Sequence, residues 1–216
     1  MELEKFSRQY FDLLTGEYSG INLTRINEYS DFHNKQIIDS LAPYKESTVY
    51  KEYVDKTDYN VDIGFGGGFP ILPMANHLPN KKFIGIETRN KKVKVVGEIS
   101  QKLGLSNTSF LHSRIENVLI DIPVVCTLKA VGKVDDFLSK INTTHSITVF
   151  FYKGPGFEEQ EKDQLKRARK NWEIVENKIL DVPGTDKRLI IGFKNKNVPH
   201  GTTKITNQLV KLSSIL

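Results

Sequence analysis

Apolar residues recur three and four apart at the start of the chain: Leu3, Phe6, Tyr10, Leu13 and Leu14, with charged residues between them. This spacing predicts an amphipathic helix over residues 2–17, bracketed at its end by Gly16 and Gly20. After Asn22-Leu23-Thr24-Arg25-Ile26 and a polar segment, Ile37, Ile38 and Leu41 give an apolar stripe to a second helix running from about Ser30 to Leu41. Ser30 or Asp31 suits its N-cap, and Pro43 is expected to end it. Residues 45–60 are polar and tyrosine-rich and read as a helix or loop leading into a sheet.

From Val61 onward, short apolar runs alternate with helical patterns. Strands are expected at 61–64, 83–87, 109–112, 124–128 and 147–152. The helical patterns between and after them cover 69–78 (broken early by Pro73), 91–103, 114–118, 134–141 and 158–172. Ile174 to Leu180 and Arg188 to Phe193 close the pattern as a strand pair joined through Val182-Pro183-Gly184. The run at 147–152 is continuously apolar, as a strand buried on both faces would be. The fold class is therefore α/β: a doubly wound, mostly parallel Rossmann-like sheet with an N-terminal helical cap. Residues 1–58 are expected to form the cap and lead-in, 59–196 the core, and 197–216 a basic tail. The tail's stripe of Ile205, Leu209, Val210 and Leu212 reads as a docked helix.

The stretch Val61-Asp62-Ile63-Gly64-Phe65-Gly66-Gly67-Gly68-Phe69-Pro70 carries the clearest chemistry. A strand running into such a turn lets a ligand lie against bare backbone, and the helix that follows points free N–H groups at it. Gly64 and Gly66 match the start of the dinucleotide fingerprint, but Phe69 replaces its last glycine. Asp62 before the first glycine and Phe69-Pro70 after the last fit an S-adenosylmethionine loop better. In a doubly wound sheet, ligands bind beyond the carboxyl ends of the strands at the switch point. That gathers the loop, Glu87, the Arg114-Ile115-Glu116 turn and Lys129 at one site. Glu87, roughly twenty residues past the loop, suits both ribose hydroxyls, and Ile115 and Glu116 suit an adenine.

Composition narrows the field. The 216 residues and 38% hydrophobic content support one α/β core with an appendage. A single cysteine, Cys126, excludes an intrachain disulfide and a cysteine-based zinc cluster. The five histidines stand singly, and no metal site is expected. No nucleophile-elbow pattern is present, so hydrolase chemistry has little support. No apolar run reaches membrane-spanning length and the start is not a signal peptide, so a cytoplasmic monomer with no membrane partner is expected. The net charge of +5 favours a polyanionic partner, with basic residues concentrated at 81–94, 162–170 and 187–204.

Taken together, the chain resembles the bacterial glucose-inhibited division protein B family, the guanine-N7 methyltransferases of 16S ribosomal RNA. The resemblance runs from about Phe11 to Phe193. It rests on Asn22-Leu23-Thr24, Ile38-Asp39-Ser40-Leu41, the loop from Asp62 to Pro70, Lys91-Lys92 and Leu103-Gly104-Leu105-Ser106-Asn107. It continues with His112-Ser113-Arg114-Ile115-Glu116, Lys153-Gly154 and the ending Arg188 to Ile191. Three positions depart from the family pattern. Gln36 stands for a histidine, Lys129 for an arginine after the fourth strand, and Ile71 for a glycine after the loop proline. A lysine lacks the bidentate fork of an arginine.

The resemblance implies in-line transfer of the sulfonium methyl group of S-adenosylmethionine to guanine N7 in 16S rRNA or a small-subunit precursor. N7 already carries an in-plane lone pair, so placement and water exclusion would do the work. It implies Asp62, Gly64, Phe65, Gly66, Gly68, Phe69, Pro70, Glu87, Ile115, Glu116 and Lys129 at the cofactor. Lys129 and Arg114 would be catalytic, and Arg114, Lys129 and Lys153 would face the RNA, with Asn22 and Arg25 shaping the entrance. Two alternatives stay open at this level: the same fold acting on another RNA or a small molecule, and a non-catalytic RNA-binding relative. A nicotinamide oxidoreductase fits the loop poorly.

Overall fold

Side chains on the central strands part by alternation to two opposite faces, and each face buries its own core. The structure, a computed structural model, describes residues 2–196 and 209–216. Its strands are β1 (Tyr59–Ile63), β2 (Lys82–Glu87), β3 (Thr108–His112), β4 (Val118–Ile120), β5 (Val124–Lys129), β6 (Asn142–Thr143), β7 (Thr148–Lys153), β8 (Trp172–Leu180), β9 (Arg188–Asn195) and β10 (Val210–Lys211). Val61, Ile63, Ile84, Ile86, Cys126, Leu128, Val149 and Phe151 turn to one face, packing against Leu165 and Trp172. Phe83, Val125, Phe150 and Tyr152 turn to the other, where the N-terminal helices lie.

Seven strands form one sheet in the order β3-β2-β1-β5-β7-β9-β8. The first five of that order run parallel, β9 runs against β7, and β8 runs against β9. The chain winds outward from β1 to β3 and then returns to β1's other side with β5. The switch point therefore lies between β1 and β5, as expected for this class. Because β9 is reversed, its first residue, Arg188, arrives at the same end of the sheet as the last residues of β1, β2, β5 and β7. A second, all-parallel sheet of β10, β4 and β6 lies apart from the first.

The cap consists of α1 (Leu3–Thr15), α2 (Tyr29–Phe32), a π-helical run over His33–Ile38, α3 (Asp39–Glu46) and α4 (Thr48–Lys56). The second helix thus runs on past Pro43, which lies inside α3. Proline removes one helical hydrogen bond, but Leu41 and Ala42 are buried against the sheet and hold the helix through it. Ser47 caps α4 by accepting from the Tyr50 N–H at 3.0 Å. Pro73 does not break α5 (Ile71–His77) either, because it sits in the first turn, where the N–H has no helical partner. After α6 (Asn90–Lys102) and α7 (Val134–Leu138), the expected charged helix over 158–172 is two short pieces, α8 (Phe157–Gln160) and α9 (Lys162–Ala168). Glu161 leaves helical geometry between them, and Trp172 begins β8.

The tail departs from expectation. Its described part is not an α-helix: β10 pairs in parallel with β4, and Leu212 is fully buried in a short 3-10 turn that follows. Ser213 donates its N–H and its hydroxyl to Asp121 at 2.9 and 2.6 Å. Ile205, counted in the predicted stripe, lies outside the described residues. No helix among the described residues is long and apolar enough to cross a membrane.

Candidate active site

The loop after β1 is built by two different uses of glycine. Gly64 and Gly66 take φ of +76° and +57° and line a cavity of about 760 Å3 at the carboxyl end of the sheet. Gly67 also lines this cavity, but a side chain on it or on Gly68 would point into the cap. A Cβ on Gly67 would stand 2.4 Å from the Leu23 carbonyl oxygen, and one on Gly68 would stand 2.4 Å from the Tyr10 hydroxyl. Tyr10, fully buried in α1, donates its hydroxyl to the Gly67 carbonyl and stacks on Phe69 with ring centroids 5.1 Å apart. The front of the loop is thus bare backbone, and its back is fixed to the first helix.

Glu87 closes the cavity from the end of β2. One carboxylate oxygen accepts from the Gly66 N–H at 3.1 Å, and the other accepts from the Arg89 N–H at 3.0 Å. Across the mouth stands Lys129, at the end of β5. Its ammonium lies 2.8 Å from the buried carboxylate of Asp39 and donates to Gln36 Oε1 at 3.2 Å. It also sits 5.7 Å from the centre of the Phe69 ring. Burial pulls the Lys129 pKa down, and the Asp39 charge opposes that. Arg188 reaches the other oxygen of Asp39 through Nε at 3.2 Å. The residue after Lys129, Ala130, holds φ of 54°, a left-handed conformation that costs a residue with a Cβ on the order of 1 kcal/mol or more.

Of the residues predicted from sequence, Gly64, Phe65, Gly66, Phe69, Glu87, Lys129 and Lys153 come together on the cavity wall. Asp62 lies behind it, buried, with Oδ2 accepting from the Ile71 N–H at 3.0 Å. Gly68 and Pro70 also lie behind the wall. Ile115 is buried in the opposite core, and neither it nor Glu116 lines the cavity. Arg114 points to solvent in an ion pair with Glu116 at 3.3 Å. Asn22 and Arg25 are exposed, while their neighbours Leu23 and Ile26 form the wall.

Lys153 lines the cavity but is engaged within the protein. Its ammonium is held by Glu161 and by the Gly132 carbonyl, both at 2.8 Å. Glu161 also accepts from the Val134 N–H at 2.8 Å, so Lys153 ties the end of β7 to the starts of α7 and α9.

Asp39, Arg89 and Lys92 also line the cavity without having been singled out as site residues from the sequence. Asp39 had a readable signal: an acid between Ile38 and Leu41 on an apolar stripe turns its carboxylate inward. Among the described residues there is no cluster of three or more metal-ligating side chains.

The family described as GidB, rRNA small subunit methyltransferase G, matches residues 3–191. The chain belongs to this family. A GidB relative from Streptococcus pyogenes serotype M49 (strain NZ131), called ribosomal RNA small subunit methyltransferase G, is 30% identical over 207 residues, covering 88% of this chain and 83% of that protein. Among solved structures, a SAM-dependent methyltransferase from Aquifex aeolicus aligns with a TM-score of 0.51 at 19% identity, covering 73% of this chain and 90% of that one. A ribosomal protein L11 methylase from Lactobacillus delbrueckii subsp. bulgaricus aligns with a TM-score of 0.52 at 12% identity, covering 76% and 79%. At these identities the two structures speak to the methyltransferase fold alone, whereas the match over residues 3–191 carries the GidB assignment.

Proposed function

We propose that this GidB-family chain transfers a methyl group from S-adenosylmethionine to N7 of a guanine in 16S rRNA, acting in the cytoplasm as a monomer. The observation that supports this best is the union, in one cavity, of a bare glycine turn and a ribose-suited carboxylate with a cluster of cations. The residues present fit the cofactor. Gly64 and Gly66 offer backbone at positive φ with no side chain in front, and Glu87 stands at the strand end where an acid accepts from both ribose hydroxyls. When bound, S-adenosylmethionine supplies an electrophilic methyl group on a sulfonium sulfur.

The protein's own residues do the rest by placement. Guanine N7 presents an in-plane lone pair and no proton has to leave, so no general base is needed. Phe69, backed by Tyr10, gives the purine an apolar wall. Lys129, whose three donors go to Asp39, Gln36 Oε1 and the Lys35 carbonyl, keeps its positive charge beside that same wall, and an incoming base edge or phosphate would draw one of those donors to itself. Arg89 and Lys92 extend positive charge to the mouth. A target base in folded RNA has to be splayed out to reach this depth.

The test is transfer of labelled methyl to 16S RNA, free and within small subunits, followed by digestion to nucleosides. 7-Methylguanosine at a single position is the expected product. Clear S-adenosylmethionine binding without RNA label would move the acceptor elsewhere. Lys129→Ala is expected to abolish transfer while leaving cofactor affinity nearly intact, and a fully active variant would remove Lys129 from its role.

A further inference from the structure

Arg188 belongs to two cavities. A second one, of about 320 Å3, opens against the loop after β7, and Gly154 and Arg188 line both. Gly154 has nothing within 4 Å of where a Cβ would stand, so no side chain walls the two apart there. Pro155 and Phe157 form one apolar side of the second cavity. The cross-strand pair Ile179 and Leu189 forms the other. Ile179 is 60% exposed on the outermost strand of the sheet, a position where an apolar side chain is a liability unless something covers it.

The polar groups sit at the rims. Arg188 commits only Nε to Asp39, so the two terminal nitrogens of its guanidinium remain as a bidentate edge, with Lys187 beside it. Opposite them, Glu158 is held by Asn177 at 2.7 Å. The neighbouring Glu159 has no ion pair among the described residues and offers an acceptor.

We propose that this second cavity receives the base of the nucleotide next to the methylated guanine, with the linking phosphate on Arg188 and Lys187. The inference rests on the RNA methyltransferase reading above. A polynucleotide substrate must leave the main cavity as a chain, and this is a contiguous way out that is cationic where the backbone passes and apolar where a base would follow. A nucleobase has a flat apolar face and an amine-bearing edge, which match the Pro155, Ile179 and Leu189 surfaces and the Glu159 rim.

The test uses Ile179→Ser and Lys187→Ala, two exposed positions outside the methyl-transfer site, and the RNA fragment carrying the mapped target guanine. Each flanking nucleotide is tested intact and abasic. Ile179→Ser is expected to raise KM for intact RNA about tenfold, in line with the usual worth of one base contact, and Lys187→Ala to raise KM and lower its salt dependence by about one phosphate contact, with kcat and S-adenosylmethionine affinity unchanged in both. An abasic site at one flank should raise the wild-type KM to the same extent and cost Ile179→Ser nothing further. An unchanged KM in both variants, a loss confined to kcat, or additive losses from Ile179→Ser and the abasic site would overturn the proposal. If the unaltered protein methylates no RNA, the methyltransferase reading itself fails and takes this one with it. That outcome is told apart because it needs no variant.

Discussion

Asp39 sits between two cations delivered by different strands: Lys129 from β5 at 2.8 Å and Arg188 from β9 at 3.2 Å. One buried carboxylate thereby aims both at the cavity. Replacing it with alanine leaves two cations facing each other without their counter-charge, a loss of about 3 kcal/mol for a broken buried pair. Asp39→Ala is expected to lower the urea midpoint accordingly and to cut methyl transfer at least about tenfold, with a smaller effect on cofactor binding. Asp62 makes a different kind of contribution. Burial pushes its carboxyl pKa up to about 8, and the Glu87 charge adds to this, against the Ile71 hydrogen bond and the Lys129 charge. The folded chain therefore holds a proton that the unfolded chain releases at the ordinary carboxylate value of 3.8. That contribution is fully present below pH 3.8 and is lost as pH rises through about 8, with a slope of up to about 1.4 kcal/mol per unit. Urea midpoints measured from pH 5 to 8 should fall with pH in the wild type and stay flatter in Asp62→Asn. Parallel curves would show that Asp62 is ionised.

At the scale of elements, α1 and the glycine loop act as one piece, because Tyr10 of the helix bonds the Gly67 carbonyl and stacks on Phe69. Tyr10→Phe keeps the packing and loses the bond. About 1 kcal/mol of stability should go with it, together with a few-fold loss of S-adenosylmethionine affinity, read by thermal melting and titration calorimetry. Calorimetry showing unchanged affinity would uncouple the helix from the loop. The elements themselves were largely legible in the sequence, since α1, β1, β2, α6, β5, β7 and the β8–β9 pair each carry a continuous local pattern. What was not legible depended on distant partners. Pro43 and Pro73 read as breakers, but burial of Leu41 and the first-turn position of Pro73 leave the helices intact. β4 and β10 are three and two residues long, too short to show a period of their own, and they form through partners distant in sequence: β4 pairs with β6 on one edge and β10 on the other.

For the molecule as a whole, the cavity wall is strongly cationic: it is lined by Lys35, Arg89, Lys92, Lys129, Lys153 and Arg188 against the lining acids Asp39 and Glu87, with Lys35 and Lys153 also paired to Asp31 and Glu161 outside it. Among the described residues, Arg89 and Lys92 have no ion pair, so they are free to neutralise phosphate. RNA affinity should therefore fall with added salt by about 0.7 log units per log unit for each phosphate contact. Arg89→Ala should remove about one such contact from the slope, whereas S-adenosylmethionine affinity should barely respond. A slope unchanged in the variant would take Arg89 off the RNA path.

The half of the site made by the loop and Glu87 could be read from the sequence because strand, turn and helix follow one another. The meeting of Asp39 with Arg188 could not, because those residues lie 149 positions apart and come together only through the reversed β9.

The same separation in sequence governs the order in which the molecule closes during synthesis. All seven strands of the main sheet lie within residues 59–195, so that sheet can form before residues 210–211 have been made. The outer edge of β4 must wait for them, and Leu212 and the Ser213–Asp121 bonds then fasten the C-terminal segment last. The last contacts to form at a periphery are also the first to open locally. Hydrogen exchange should therefore find the β10 side of β4 breathing while β1, β5 and β7 stay closed.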